Sequence, residues 1–112
     1  MTTASLTVRG TAALEKGYHY EGTIATGVTG PSIMIPAILN EKQITCTLVA
    51  GANTGSIQVT TSTDAKVVSD TASWQTWGTG VTTGTVSDVV VGPITAIRGV
   101  SAAGEISIEV VV

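Results

Sequence analysis

The chain has no phenylalanine, one cysteine and one histidine in 112 residues. Each shortage excludes something. With aromatics at 4% of the residues, a core must be built from Val, Ile, Leu and Ala. A single cysteine, Cys46, rules out an intrachain disulfide, the staple on which small secreted domains commonly rely. A single histidine, His19, lies between two tyrosines and has no neighbouring ligands with metal-site spacing, so it reads as a partly exposed strand residue. Charged residues make up 12% of the chain, about half the usual quarter of a soluble domain. The five basic residues, Arg9, Lys16, Lys42, Lys66 and Arg98, are scattered, and the net charge is −3. Phosphate neutralisation needs a basic stripe, so neither nucleic acid nor an anionic membrane is an expected partner. No apolar run approaches the ~18 residues that cross a bilayer as a helix. Met1 to Arg9 lacks the basic start and apolar stretch of a signal peptide, so synthesis in the cytoplasm is expected.

What the chain does have is β-branched residues in short alternating runs, separated by small turn formers. Ser5 to Val8 reads as a first strand, Thr11 to Gly17 as one helical turn, and Tyr18 to Ile24 as a strand with both tyrosines on one face. Ile33-Met34-Ile35 lies between Pro31 and Pro36, which places it at a sheet edge or corner, with Ile38-Leu39 continuing it. Gln43 to Val49 is the cleanest strand, with Ile44, Cys46 and Leu48 inward. Gly51 to Gly55 reads as a hairpin turn, and Ser56 to Thr61 as the returning strand, with Ile57 and Val59 inward and Gln58 and Thr60 outward. Asp64 to Asp70 is a polar stretch. Gly78-Thr79-Gly80 is a turn, since it lacks the spacing and lysine of a phosphate loop. Val86 to Val91 is a strand, and a second hairpin through Ser101 to Gly104 completes the chain. Eight to nine short strands in one domain, residues 1–112, predict an all-β antiparallel sandwich or jelly roll.

Signals for chemistry are missing. Cys46 lies on an apolar strand face, where free cysteine packs as a small hydrophobe rather than acting as a nucleophile. The carboxylates Glu15, Glu21, Glu41, Asp64, Asp70, Asp88, Glu105 and Glu109 form no calcium loop. Glu105 and Glu109 share a solvated strand face with Ser107. No catalytic residue, metal or cofactor is expected. Trp74 and Trp77 are the specific features of an aromatic-poor chain. Their i to i+3 spacing puts them on opposite faces of a strand, one toward the core and one toward the surface. A surface Trp suits an interface anchor or, with Tyr18 and Tyr20, a sugar-stacking platform. The apolar terminal strand Val110-Val111-Val112 reads as an unprotected edge able to pair with another chain.

The pattern Trp74-x-x-Trp77-Gly78, then Gly92-Pro93-Ile94-Thr95-Ala96-Ile97-Arg98, a short turn and a terminal β-branched strand, resembles the C-terminal halves of small virion proteins of tailed bacteriophages. These are capsid decoration (cement) proteins, head fibres and tail accessory proteins. The resemblance covers roughly residues 56–112. It implies a non-enzymatic structural protein of the virion that binds the major capsid protein or another virion protein, as a symmetric homo-oligomer with a trimer favoured. Trp77, Arg98, Val110, Val111 and Val112 are then the expected interface residues. Arg98 either pairs with a neighbouring subunit or lays its stem over apolar surface at an edge. Two alternatives stand beside this reading. One is a carbohydrate- or receptor-binding fibre module. The other is an exported pilus-like subunit, which the missing leader and disulfide argue against.

Overall fold

The computed structural model describes residues 3–9, 17–36, 43–90 and 94–112. Its organising element is β5, Ile44–Thr60, one strand of 17 residues. The turn expected at Gly51 to Gly55 is not a reversal. A tight hairpin of the favoured kind needs left-handed backbone at one or both central residues. Gly51 has that conformation, with φ 61°, yet the chain continues. Partners on both flanks hold it: Gly51 pairs with Gly84, and Gly55 pairs with Thr82 on one side and Ser101 on the other. Register shifts at Gly51 and Gly55 turn the five residues into a bend.

The bend divides β5 between two partners. Its first half pairs with β8, Ile106–Val111, from Thr45↔Val111 to Val49↔Ser107. Its second half pairs with β7, Ala96–Ala103, from Thr54↔Ala103 to Thr60↔Ala96. Both run antiparallel to β5, so they follow one another in the same direction and do not form the expected terminal hairpin. A small-residue segment between β-branched runs serves equally well for a step along one long strand. Here Ser101 Oγ donates to Gly104 O at 2.6 Å, and Asn53 Nδ2 donates to Glu105 O at 2.9 Å. On its other flank β5 pairs with β6, Gln75–Val90. The connection carries a short helix, α1, Asp64–Val68, capped by Thr63 and with Val67 buried.

The remaining strands are β1 (Thr3–Ser5), β2 (Thr7–Arg9), β3 (Gly17–Ile24) and β4 (Ser32–Met34). The order is β1-β4-β7-β5-β8-β3-β2, with β6 beside β5. The two ends of that path, β1 and β2, are separated in the chain by Leu6 alone. The sheet therefore returns on itself and is mostly closed, like a barrel. The protein is all-β, with eight strands in one sheet, and β1 against β4 is a parallel pair. The expected first strand is thus two strands that serve opposite ends of the path. Ser32–Met34 has β1 on one side and β7 on the other, so the flanking prolines end the strand without leaving it at an edge. The expected helical turn before Gly17, Ile38-Leu39, Val91 and Gly92-Pro93 lie outside the described residues.

The core follows the alternation read from sequence. Ile44, Cys46 and Leu48 are buried with Ile106, Ile108 and Val110, and Ile57, Val59, Ile33 and Ile97 join them from the other half. Tyr18, Tyr20, Trp77 and Val112 pack at its margin. Gly55 is required by close approach, because a Cβ there would stand 2.6 Å from Ile106 Cδ1. Thr60 departs from expectation: it is 2% exposed rather than outward. The connection on either side of α1 engages it: Thr60 Oγ1 donates to Ser73 O at 2.6 Å and accepts from Ser62 N at 3.1 Å.

Val110-Val111-Val112 is not an open edge. Val110 pairs with Tyr20 and Cys46, Val111 with His19 and Thr45, and Val112 exchanges backbone bonds of 3.0 and 3.2 Å with Tyr18. A strand bonded on both flanks has no donors left for another chain. Val110→Ala therefore lowers unfolding free energy by about 2 kcal/mol, and deletion of Val110 to Val112 unfolds the protein, both read by urea denaturation. One flank carries a repulsion: Glu21 and Glu109 stand directly opposite. Glu109→Thr raises stability by roughly 0.2–1 kcal/mol, and the gain shrinks at high salt. An unchanged midpoint at low salt contradicts this.

Candidate functional site

Pairing of β5 with β7 sets Gln58 opposite Arg98. Arg98 Nε donates to Gln58 Oε1 at 2.8 Å, and the guanidinium lies 4.0 Å from the centre of the Trp74 ring. A cation over an indole face is attracted by the ring quadrupole. Burial pulls the Arg98 pKa below its ordinary value, and Asp70 works against that shift. Arg98 is thus engaged within its own chain, on a strand flanked by β4 and β5. The edge position expected for it is not found. Trp74 and Trp77 do not divide into a core and a surface residue; both are half-buried. Trp77, Tyr18 and Tyr20 pack against the core, and Trp74 carries the guanidinium. Three of the four aromatics are committed inward, which weakens the geometric basis for a sugar platform.

Trp77 sits where β6 is irregular. It pairs with Ile57, while Thr82 pairs with Gly55. Gly78 to Val81 therefore stand opposite Ser56 alone, and the Gly78-Thr79-Gly80 segment is a bulge within a strand rather than a turn. Gly78 and Gly80 have φ of 73° and 89°, values that glycine adopts without steric penalty. The bulge leaves a cavity of about 110 Å³ between Trp77, Gly78 and Gly80 on one side and Leu48, Ile57 and Val86 on the other. Trp77 Nε1 is buried and has no hydrogen-bond partner among the described residues.

The same strand is the sheet's long exposed flank. β6 pairs with β5 and, among the described residues, with nothing else. Edge strands are ordinarily shielded by lysine, proline or inward charge. β6 has no lysine or proline, and Asp88 is its one charged residue. Val81, at the bulge, is 60% exposed. The open edge expected at Val110 to Val112 is not found there; among the described residues the long strand whose β pairing is to one neighbour only is β6. The signal for the actual edge was a proline-free stretch from Trp74 to Val90, rich in threonine and glycine.

On the opposite flank, His19 Nε2 stands 3.6 Å from Glu21 Oε2 on the outer face of β3. No group of three His, Cys, Asp or Glu suited to a metal occurs among the described residues. Cys46 is fully buried.

Trp77 supplies the site's own test. Truncation to alanine empties a large contact, whereas phenylalanine keeps the ring and removes the unpartnered donor, whose burial carries a penalty of about 1–3 kcal/mol. Trp77→Ala lowers unfolding free energy by about 3–5 kcal/mol, and Trp77→Phe by less than about 1 kcal/mol, measured by chemical denaturation. Equal losses contradict the assignment.

No family model and no curated protein matches the chain. Among solved structures, a protein described under "Bacillus endospore appendages form a novel family of disulfide-linked pili" aligns over 94% of this chain and 96% of its own, at 13% identity and a TM-score of 0.34. A superposition of that quality does not establish a shared fold.

Proposed function

We propose that this chain is a non-enzymatic structural subunit of the capsid-decoration type, binding and stabilising a phage head through protein–protein contacts. The observation that carries the reading is the β6 flank. Among the described residues, β6 is a 16-residue strand whose β pairing is to β5 alone. An edge of that length with a single charge is an aggregation hazard for a free monomer, and a subunit that spends its working life covered is relieved of it. The scarcity of charge across the whole chain fits the same life. The resemblance of residues 56–112 to tailed-phage virion proteins supplies the location, the virion, and the partner, the major capsid protein or another virion protein. A well-packed contact of roughly 1,600 Å² in total suffices for a specific complex, and many such contacts spread over a shell raise its resistance to expansion.

Co-sedimentation with empty capsids of the phage that encodes the chain tests this. The protein is expected to saturate the capsids and raise their thermal disruption temperature. Thr83→Lys, which places a charge on the exposed flank, weakens retention by about tenfold or more. Absence of binding above about 10 µM, where a standard interface is populated, refutes the reading.

A further inference from the structure

The bulge on β6 is self-complementary. When two copies of Thr76 to Thr85 are laid antiparallel about an axis between Gly80 and Val81, each large residue meets a glycine and each remaining position is neutral. Val81 stands opposite Gly80, Trp77 opposite Gly84, Thr79 opposite Thr82, Gly78 opposite Thr83, and Thr76 opposite Thr85. The space above both glycines is open: a Cβ at Gly80 or at Gly84 would meet nothing within 4 Å. No charged residue lies between Gln75 and Ser87, so two copies meet without like-charge repulsion. We propose that β6 is a homodimer interface in which a second copy adds its own β6 across this two-fold axis, each Val81 seating over the partner's Gly80 at the cavity beside Trp77.

Three observations favour that occupant. The cavity, at about 110 Å³, is several times the ~10–15 Å³ needed to hold one water and approaches an engineered cavity of ~150 Å³ that takes up benzene. It therefore has room for a branched aliphatic side chain, and Val81 is such a side chain, largely exposed in the isolated subunit. The glycines at positive φ interrupt an even hydrogen-bond ladder, so fit between side chains and glycine gaps sets the register, as pockets do when a strand is added to a sheet. Trp77, whose buried N–H has no acceptor among the described residues, lines the wall that the added strand approaches. The inference rests on the reading of the chain as an assembly subunit and deepens it by naming the contact. It makes the elementary unit a dimer rather than the trimer implied by the resemblance.

Light scattering of the intact protein across a concentration series gives the mass. Heteronuclear NMR follows the two indole N–H resonances, assigned with Trp77→Phe. The expected result is twice the chain mass, together with a Trp77 resonance that moves with concentration while that of Trp74 stays fixed. Val81→Lys is expected to raise the dissociation constant by about tenfold or more, and Val68→Lys, on α1, leaves it unchanged. If Val81→Lys does not fold, the wild-type indole shift decides alone. A monomer at all concentrations, a trimer, or a dimer whose Trp77 resonance is indifferent to dilution overturns the proposal. Capsid co-sedimentation is scored separately, so a protein that binds capsids as a monomer overturns this inference and leaves the assembly reading in place.

Discussion

Everything else in this fold depends on two-sided pairing along β5. A strand that is bonded on both flanks cannot reverse at a glycine, however strongly local residues favour a turn. Gly51 to Gly55 contains three small or turn-forming residue types in five positions and still stays within the strand, because β6 runs along one side while β7 and β8 share the other. The bend then dictates the rest. It separates β7 from β8 into successive partners, places β3 and β4 beyond them, and leaves β1 and β2 to meet across Leu6. Closure is thus a consequence of one strand being long enough to serve two halves of the sheet.

Much of this was legible in the sequence and part was not, and the boundary is physical. Period-two alternation reports which face of a strand is apolar, and it placed Ile44, Cys46, Leu48, Ile57 and Val59 in the core, where they are. Alternation carries no information about direction or neighbours. The Gly51 and Ser101–Gly104 segments have the composition of hairpin turns, and only the register of long-range partners shows that one is a bend and the other a step. Thr60 illustrates the same limit from the other side. Its strand parity points outward, and the α1 connection, which looks merely polar in sequence, engages it.

The terminal valines show why an apolar β-branched run is a poor marker of an open edge. A sheet that does not close completely leaves some strand flank exposed. A terminal run of three valines is a natural choice, and burial explains why it fails. Three successive β-branched apolar residues, with both faces enclosed or packed, are what an interior strand needs. The exposed flank instead carries residues that tolerate water, and threonine and glycine predominate in β6. Its irregularity serves a purpose as well. Bulges disrupt an even ladder and so limit indiscriminate strand pairing, while the glycines that make them create gaps of defined shape.

On the proposed reading, that combination bears on how a weakly charged edge discriminates among the strands that reach it. A flat, apolar edge would pair with any strand it met, because main-chain hydrogen bonds are indifferent to sequence. β6 presents an edge whose hydrogen-bonding groups are broken up by Gly78, Gly80 and Gly84, so main-chain bonding by itself holds a chance partner weakly. A partner that also fills the glycine gaps recovers apolar contact, and specificity is then a difference between filled and unfilled gaps rather than a general attraction. The same argument explains why the strand can do without lysine or proline. Charge protects an edge from all comers, including the intended one; a bulged, glycine-notched edge excludes strands of the wrong shape and still admits the right one.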